Sequence, residues 1–211
     1  GFHQDILPGA VNWMTAGSGI THSERFDYAR VHGAHMHGIQ AWVALPEANE
    51  ENAPTFRHHD DADLPIWDEH GVKGRLIAGK ADGMSANVET HSPLFYQHWE
   101  MAAGARRSVT DAYPERAVYC TTGAIEVAGT ALHAGQMAVI DGRDGVDVVA
   151  REPSTVMVLG GDPVGERFLL WNFVSSSKER LAQAAEDWRQ GRMTLPVGDD
   201  QEFIPLPDKK G

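Results

Sequence analysis

The sequence predicts an all-β chain carrying one helix near its C-terminus, and three observations predict it. From Val72 onward, short apolar runs recur about every 8–12 residues with Gly or Asp between them, the spacing of a sandwich or barrel of antiparallel strands. A Ser176-Ser-Lys-Glu179 capping pattern then precedes Leu181, Ala184, Ala185 and Trp188, which repeat at helical spacing. No apolar run approaches the roughly 18 residues that a membrane-spanning helix needs.

Composition narrows the function. With 211 residues the chain can bury the core of one large domain or of two small ones. Its 18 Lys and Arg against 30 Asp and Glu give a formal charge of −12, which argues against a phosphate-backbone surface and against docking on anionic lipid. Neither a nucleic-acid nor a membrane partner is expected. Cys120 is the only cysteine, so a reducing compartment is expected, and no charged-then-apolar leader opens the chain. A cytoplasmic location follows as the expectation. Residue 1 is Gly rather than Met, so a trimmed or processed chain is expected.

In chain order, Pro8-Gly9 reads as a turn that leads into a strand, with Trp13 and Met14 as core. A Gly17/Gly19 turn follows, and then His22-x-Glu24. If Ile20–Phe26 is a strand, the side chains of His22 and Glu24 share a face, and an imidazole beside a carboxylate can share one divalent ion. A surface pair without chemistry is the plain alternative. His35-x-His37 invites the same metal reading, against an exposed His35 and a structural His37. Ile39–Leu45 reads as an apolar strand.

Pro46–Asp68 shows no period and reads as an extended connector anchored by Leu64, Ile66 and Trp67, with His58 and His59 solvated. Strands follow at Val72–Ala78, Leu94–Glu100, Ala117–Cys120, Ala124–Val127, Gln136–Ile140, Val146–Ala150 and Ser154–Leu159, with a hairpin turn at Thr121–Gly123. His91, His98 and His133 are scattered without metal spacing, and Cys120 reads as an inert buried thiol. The helix spans about 176–190, stops at Gly191, and should lay its stripe on a barrel flank. The tail from Leu195 is rich in Pro and Asp and should run extended.

The wording of the chain adds a resemblance. Trp13-Met-Thr-Ala-Gly-Ser-Gly-Ile-Thr-His-Ser-Glu24, His37-Gly-Ile-Gln-Ala-Trp-Val-Ala-Leu-Pro46, Thr90-His-Ser-Pro-Leu94, Gly160-Gly-Asp-Pro163 and Asn172-Phe-Val-Ser-Ser-Ser-Lys-Glu-Arg180 together resemble the pirin family. The resemblance spans nearly the whole chain. It implies two cupin barrels of the jelly-roll type, the first incomplete here. Residues 1–60 would be the C-terminal part of the first cupin with its connector, and 61–211 the second cupin with the helix and tail.

The resemblance also implies a divalent metal, with Fe foremost and Ni, Cu, Mn, Co or Zn also compatible with nitrogen and oxygen ligands. His22 and Glu24 match two of its ligands. Two further histidines belong to a His-Pro-His-x-Gly segment that these 211 residues do not contain. A longer parent polypeptide, strands from a second chain, or a metal-free degenerate member would each account for this. An open barrel front would also invite a homo-oligomer.

Two activities come with the family. One is quercetin 2,3-dioxygenase, an oxidoreductase that opens a flavonol ring with O₂. There Glu24 would double as the catalytic base for the 3-hydroxyl proton if burial makes it basic enough, and Trp13, Met14 and Trp42 would sandwich the substrate unless they are plain core. The other is a metal-dependent protein-binding module of the transcription-cofactor type. A scaffold with neither activity is the third reading.

Overall fold

A computed structural model of the chain describes residues 1–207. The chain forms two compact units that interleave in sequence. One holds residues 4–14 and 56–163; the other holds residues 1–3, 15–55 and the chain from Val164 on.

The first of these is a barrel. After the Pro8-Gly9 turn, β1 (Val11–Thr15) pairs with β2 (Thr55–His59) in a two-stranded ribbon that belongs to this unit apart from its boundary residues Thr15 and Thr55. There follow β3 (Ile66–Glu69), β4 (Val72–Ala81), β5 (Met84–Ser85), β6 (Leu94–Met101), β7 (Arg106–Val109), β8 (Glu115–Thr122), β9 (Ala124–Val127), β10 (Thr130–His133), β11 (Met137–Asp141), β12 (Val146–Ala150) and β13 (Ser154–Gly161). They form a larger antiparallel sheet in the order β11-β8-β13-β6-β4-β3, with β5 folded onto β4, and a smaller one in the order β10-β9-β12-β7.

Alternation along the strands explains why two sheets close on one core. On β6, Phe95, Trp99 and Met101 join Leu76, Val118, Ile125, Val148, Val156 and Val158 between the sheets, while Leu94 and Tyr96 point to the other face. There they meet Leu64, Ile77, Val88 and Met157, with Val11 and Trp13 of β1 packed against them. Each large side chain buried this way contributes about 1.5–3 kcal/mol. The fully buried guanidinium of Arg116 donates to the carbonyl oxygens of Thr110, Gly142 and Asp144, which satisfies polar backbone at the barrel's end.

Thr121–Gly123 is a corner rather than the expected hairpin turn. β8 lies in the larger sheet and β9 in the smaller, so the chain changes sheet at Gly123. Only glycine suits the corner: its φ is +83°, and a Cβ there would lie 2.4 Å from Ser154 Oγ and 2.6 Å from Pro153 O.

The Pro46–Asp68 stretch is not a structureless connector. It contains 3₁₀ turns at Glu47–Asn49 and Asp61–Asp63 besides β2 and the start of β3. Leu64 is buried as expected, whereas Ile66 is exposed. His58 and His59 are half-buried on β2 rather than solvated. His58 bonds through its ring to Asn12 Oδ1 at 2.7 Å and to Asp60 Oδ1 at 3.1 Å.

The second unit carries α1 (Asp27–His32), the hairpin of β14 (Phe168–Leu170) and β15 (Phe173–Ser175), and α2 (Lys178–Arg189). Among the described residues two short α-helices thus occur rather than one. Residues 20–26 and 39–45 are not strands, because among the described residues neither stretch has a ladder partner. The N-cap of α2 is Ser177, one residue later than the sequence pattern suggests, and its hydroxyl accepts from Arg180 N–H. Leu181, Ala184 and Ala185 form the buried stripe, and the helix packs on the β14–β15 hairpin. Trp171, Phe173, Trp188 and Phe203 extend that core with ring centroids 5.4–5.7 Å apart.

Candidate metal centre

The candidate donors lie in the coil after β1. Gly17 has a φ of +51°, and a Cβ there would come within 2.0 Å of Asn52 O, so the chain can press onto the 49–53 turn only with glycine at this position. Ser18 N–H then donates to Asn52 O at 2.9 Å, and Arg180 of α2 donates to Ser18 O at 3.0 Å while its Nε reaches Glu51 at 2.7 Å. The segment that carries His22 and Glu24 therefore leaves from a backbone position held on two sides.

His22 and Glu24 are both exposed, and among the described residues neither side chain enters a hydrogen bond or ion pair. Two good donor groups stand unengaged. His35 and His37 are exposed in coil beyond α1. Trp42 is 54% exposed rather than walling a pocket, whereas Trp13 is half-buried against the outer cluster of the barrel and Met14 is half-buried on β1.

A polar network runs from the barrel core to its surface. Gln97, fully buried, donates to Asp82 Oδ2 at 3.1 Å and accepts from Trp99 Nε1–H at 3.1 Å. Arg107 donates to the same Asp82 oxygen at 3.0 Å and to Glu69 at 2.8 Å, with its guanidinium 4.7 Å above the Trp67 ring. The sequence reading missed this network because its members lie on four different strands or turns. His98 sits on the outer face of β6, where burial, helped by Arg75, holds its imidazole below the ordinary range. Burial, helped by Glu152, pushes the Cys120 thiol up. A groove of about 520 Å³ opens on the barrel between Asp68, Lys73, Glu100, Thr122 and Ser154, and none of the candidate donors lines it.

Comparison with known proteins decides the family. The family model described as the pirin C-terminal cupin domain matches residues 96–194, and the model described as pirin matches residues 1–43. A "Pirin-like protein" of Caulobacter vibrioides is 55% identical over 204 residues, 96% of this chain and 71% of that protein. The chain belongs to the pirin family. Among other pirin relatives, a "putative quercetin 2,3-dioxygenase" of Pseudomonas aeruginosa is 38% identical over 98% of this chain and 66% of its own length. A crystal structure of quercetin 2,3-dioxygenase from Acinetobacter baumannii superposes with a TM-score of 0.74 at 26% identity, covering 87% of this chain and 66% of that one. The chain thus spans about two thirds of the length of these relatives.

The divalent metal that the sequence resemblance implies can be tested against the residues present. The donor chemistry fits: an imidazole and a carboxylate, two residues apart and free of other partners, are ligands of the right hardness. The number does not suffice alone. Catalytic centres of this kind commonly use about three protein ligands, and among the described residues no group of three or more His, Cys, Asp or Glu side chains gathers. His22 and Glu24 fit as two members of a larger set.

Proposed function

We propose that this pirin acts as a metal-dependent flavonol dioxygenase of the quercetin 2,3-dioxygenase type, opening the heterocyclic ring with O₂. The observation that carries the reading is the unengaged His22–Glu24 pair, presented from a fixed backbone position in a chain similar to named quercetin dioxygenases. The two further histidine ligands would come from outside these 211 residues, and residues 1–60 would be the closing part of the cupin that houses the centre.

In this reading a ring nitrogen of His22 and a carboxylate oxygen of Glu24 would hold the metal. When bound, the metal would supply Lewis-acid binding of the flavonol's oxygens. Glu24, exposed in these 211 residues, would receive the 3-hydroxyl proton at its carboxylate oxygen once the segment bearing the two further ligands buries it, which would leave the substrate as the electron-rich anion that dioxygen can attack. Carboxylate and imidazole are thus assigned separate tasks, the first a ligand and base, the second a ligand alone.

The test is turnover of quercetin by the full-length, metal-loaded protein, mixed anaerobically and then exposed to O₂, followed by loss of flavonol absorbance. The reading predicts O₂-dependent loss, abolished in His22→Ala and slowed at least about 100-fold in Glu24→Gln. Undiminished turnover in His22→Ala would remove the assignment.

One observation favours the protein-binding alternative. Phe26, Tyr28, Val31, Met36, Ile39 and Trp42 are all exposed, an apolar run suited to a partner's surface. Metal binding through His22 with no flavonol turnover would select that reading instead.

A further inference from the structure

We infer that the C-terminal tail, residues 194–204, is the positioning element of the His22–Glu24 pair, with Asp199 as its anchoring residue. The inference rests on the proposed metal role of that pair.

Three side chains carry it. Thr21 Oγ1–H donates to Thr194 O at 2.6 Å. The Ser23 side chain lies beside Asp199 and helps hold that carboxylate below the usual carboxylate range. Arg25 closes a two-pronged fork on the same carboxylate, with Nε 2.6 Å from Oδ2 and a terminal nitrogen on Oδ1, and its third nitrogen reaches Glu202 Oε1 at 2.6 Å. Residues 21, 23 and 25 are therefore all engaged by the tail. Residues 22 and 24, between them, are the two donors that no described residue engages. A period of two, ordinarily the mark of a paired strand, is produced here by a tail that binds side chains.

The tail is itself held. Asp199 N–H donates to Pro196 O at 3.0 Å across the turn that contains Gly198, with φ at +82°. Beyond Asp199 the chain returns to α2, where Trp188 Nε1–H donates to Ile204 O at 3.0 Å and Phe203 meets the Trp188 ring edge-on. Asp199 thus sits between a tight turn and a hydrogen bond to the helix.

The physical consequence is specific. Arg25 and Asp199 are partly exposed, so their ion pair adds little to global stability. What it removes is the freedom of a coil that has no strand neighbours. A donor pair ordered in advance binds its ion more tightly than one that must be ordered on binding. Asp199 should therefore affect metal affinity far more than folding.

Titration of the full-length protein with Ni²⁺, paired with hydrogen exchange over residues 20–26, tests this. Asp199→Asn is expected to speed exchange in 20–26, to weaken Ni²⁺ binding about 10- to 100-fold, and to leave the thermal midpoint and the barrel's exchange as in wild type. Asp199→Glu should recover part of the affinity. Thr21→Val, which removes one hydroxyl and nothing else of consequence, should shift affinity in the same direction by less. Wild-type affinity in Asp199→Asn, beside a His22→Ala that has lost Ni²⁺, overturns the positioning role alone. Undiminished Ni²⁺ binding in His22→Ala overturns the metal reading and this inference with it.

Discussion

Arg167 and Glu50 form a largely buried ion pair, with Nε 2.7 Å from Oε1 and side chains 8% and 14% exposed. Glu50 also accepts from Ser175 Oγ at 3.0 Å and from Ser176 N–H at 2.9 Å, and Arg167 donates a second nitrogen to Leu45 O at 2.8 Å. The pair ties the turn after Leu45 to the β14–β15 hairpin, and the next residue, Glu51, receives Arg180. The backbone position from which the donor segment leaves thus depends on a charge cluster one residue away.

Removing one member of such a pair leaves the other charge buried without compensation. Glu50→Ala is expected to destabilise the protein by about 3 kcal/mol or more, and Arg167→Ala by a similar amount. Urea unfolding followed by fluorescence should report it, since Trp171 and Trp188 lie in the same unit. A change within about 0.5 kcal/mol, the ordinary range of surface substitutions, would show that the pair is solvated instead.

Gly17→Ala should disturb the same junction by a different route. Its φ of +51° and the approach of Asn52 O leave no room for a methyl group, so Ser18 must move away from Asn52. The expected cost exceeds about 1 kcal/mol. Gly19→Ala is the informative control, because a Cβ there meets nothing within 4 Å and only its φ of +140° is strained. Equal midpoints for Gly17→Ala and wild type in thermal unfolding would contradict the close approach.

Alkaline stability should respond to Tyr96. Burial pushes its phenol up to about 12, and its hydroxyl is buried with no hydrogen-bond partner among the described residues. Because the folded state raises the pKa, the contribution is fully present below about pH 10 and is lost as pH climbs from there towards 12. The loss is on the order of 2 kcal/mol. Tyr96→Phe is expected to flatten this limb, and at neutral pH to be neutral or stabilising by about 1 kcal/mol, since it deletes an unsatisfied polar group. Denaturation at a series of pH values distinguishes the two proteins; a steep alkaline limb retained in Tyr96→Phe would point to Cys120 or Tyr113 instead, both of which burial also pushes up.

The barrel was the legible part of the chain. Ala124–Val127 and Val146–Ala150 occupy the residues expected of them, because one face of each is buried in the core, so side-chain alternation and strand length are set by the same burial. β7 escaped notice because Arg-Arg-Ser-Val carries its apolar signal in one residue, and β14 and β15 because three residues are too few to show a period. Residues 20–26 and 39–45 failed for the opposite reason. The apolar content of 39–45 reads as strand, and 20–26 entered only as a conditional one, but a strand exists only with a partner to complete its ladder, and no described residue supplies one. The His22-x-Glu24 spacing was visible in the sequence as a candidate pair, with its ligand role supplied by the resemblance. The contacts of Thr21, Ser23 and Arg25 were not, since their partners lie more than 170 residues away.

The account stands or falls on whether His22 and Glu24 hold a metal together. Elemental analysis of the full-length protein, purified in parallel as wild type, His22→Ala and Glu24→Gln, measures this directly. The account predicts close to one divalent ion per chain in wild type and a large loss of metal in His22→Ala, with secondary structure by circular dichroism unchanged. Equal metal content in wild type and His22→Ala would contradict it.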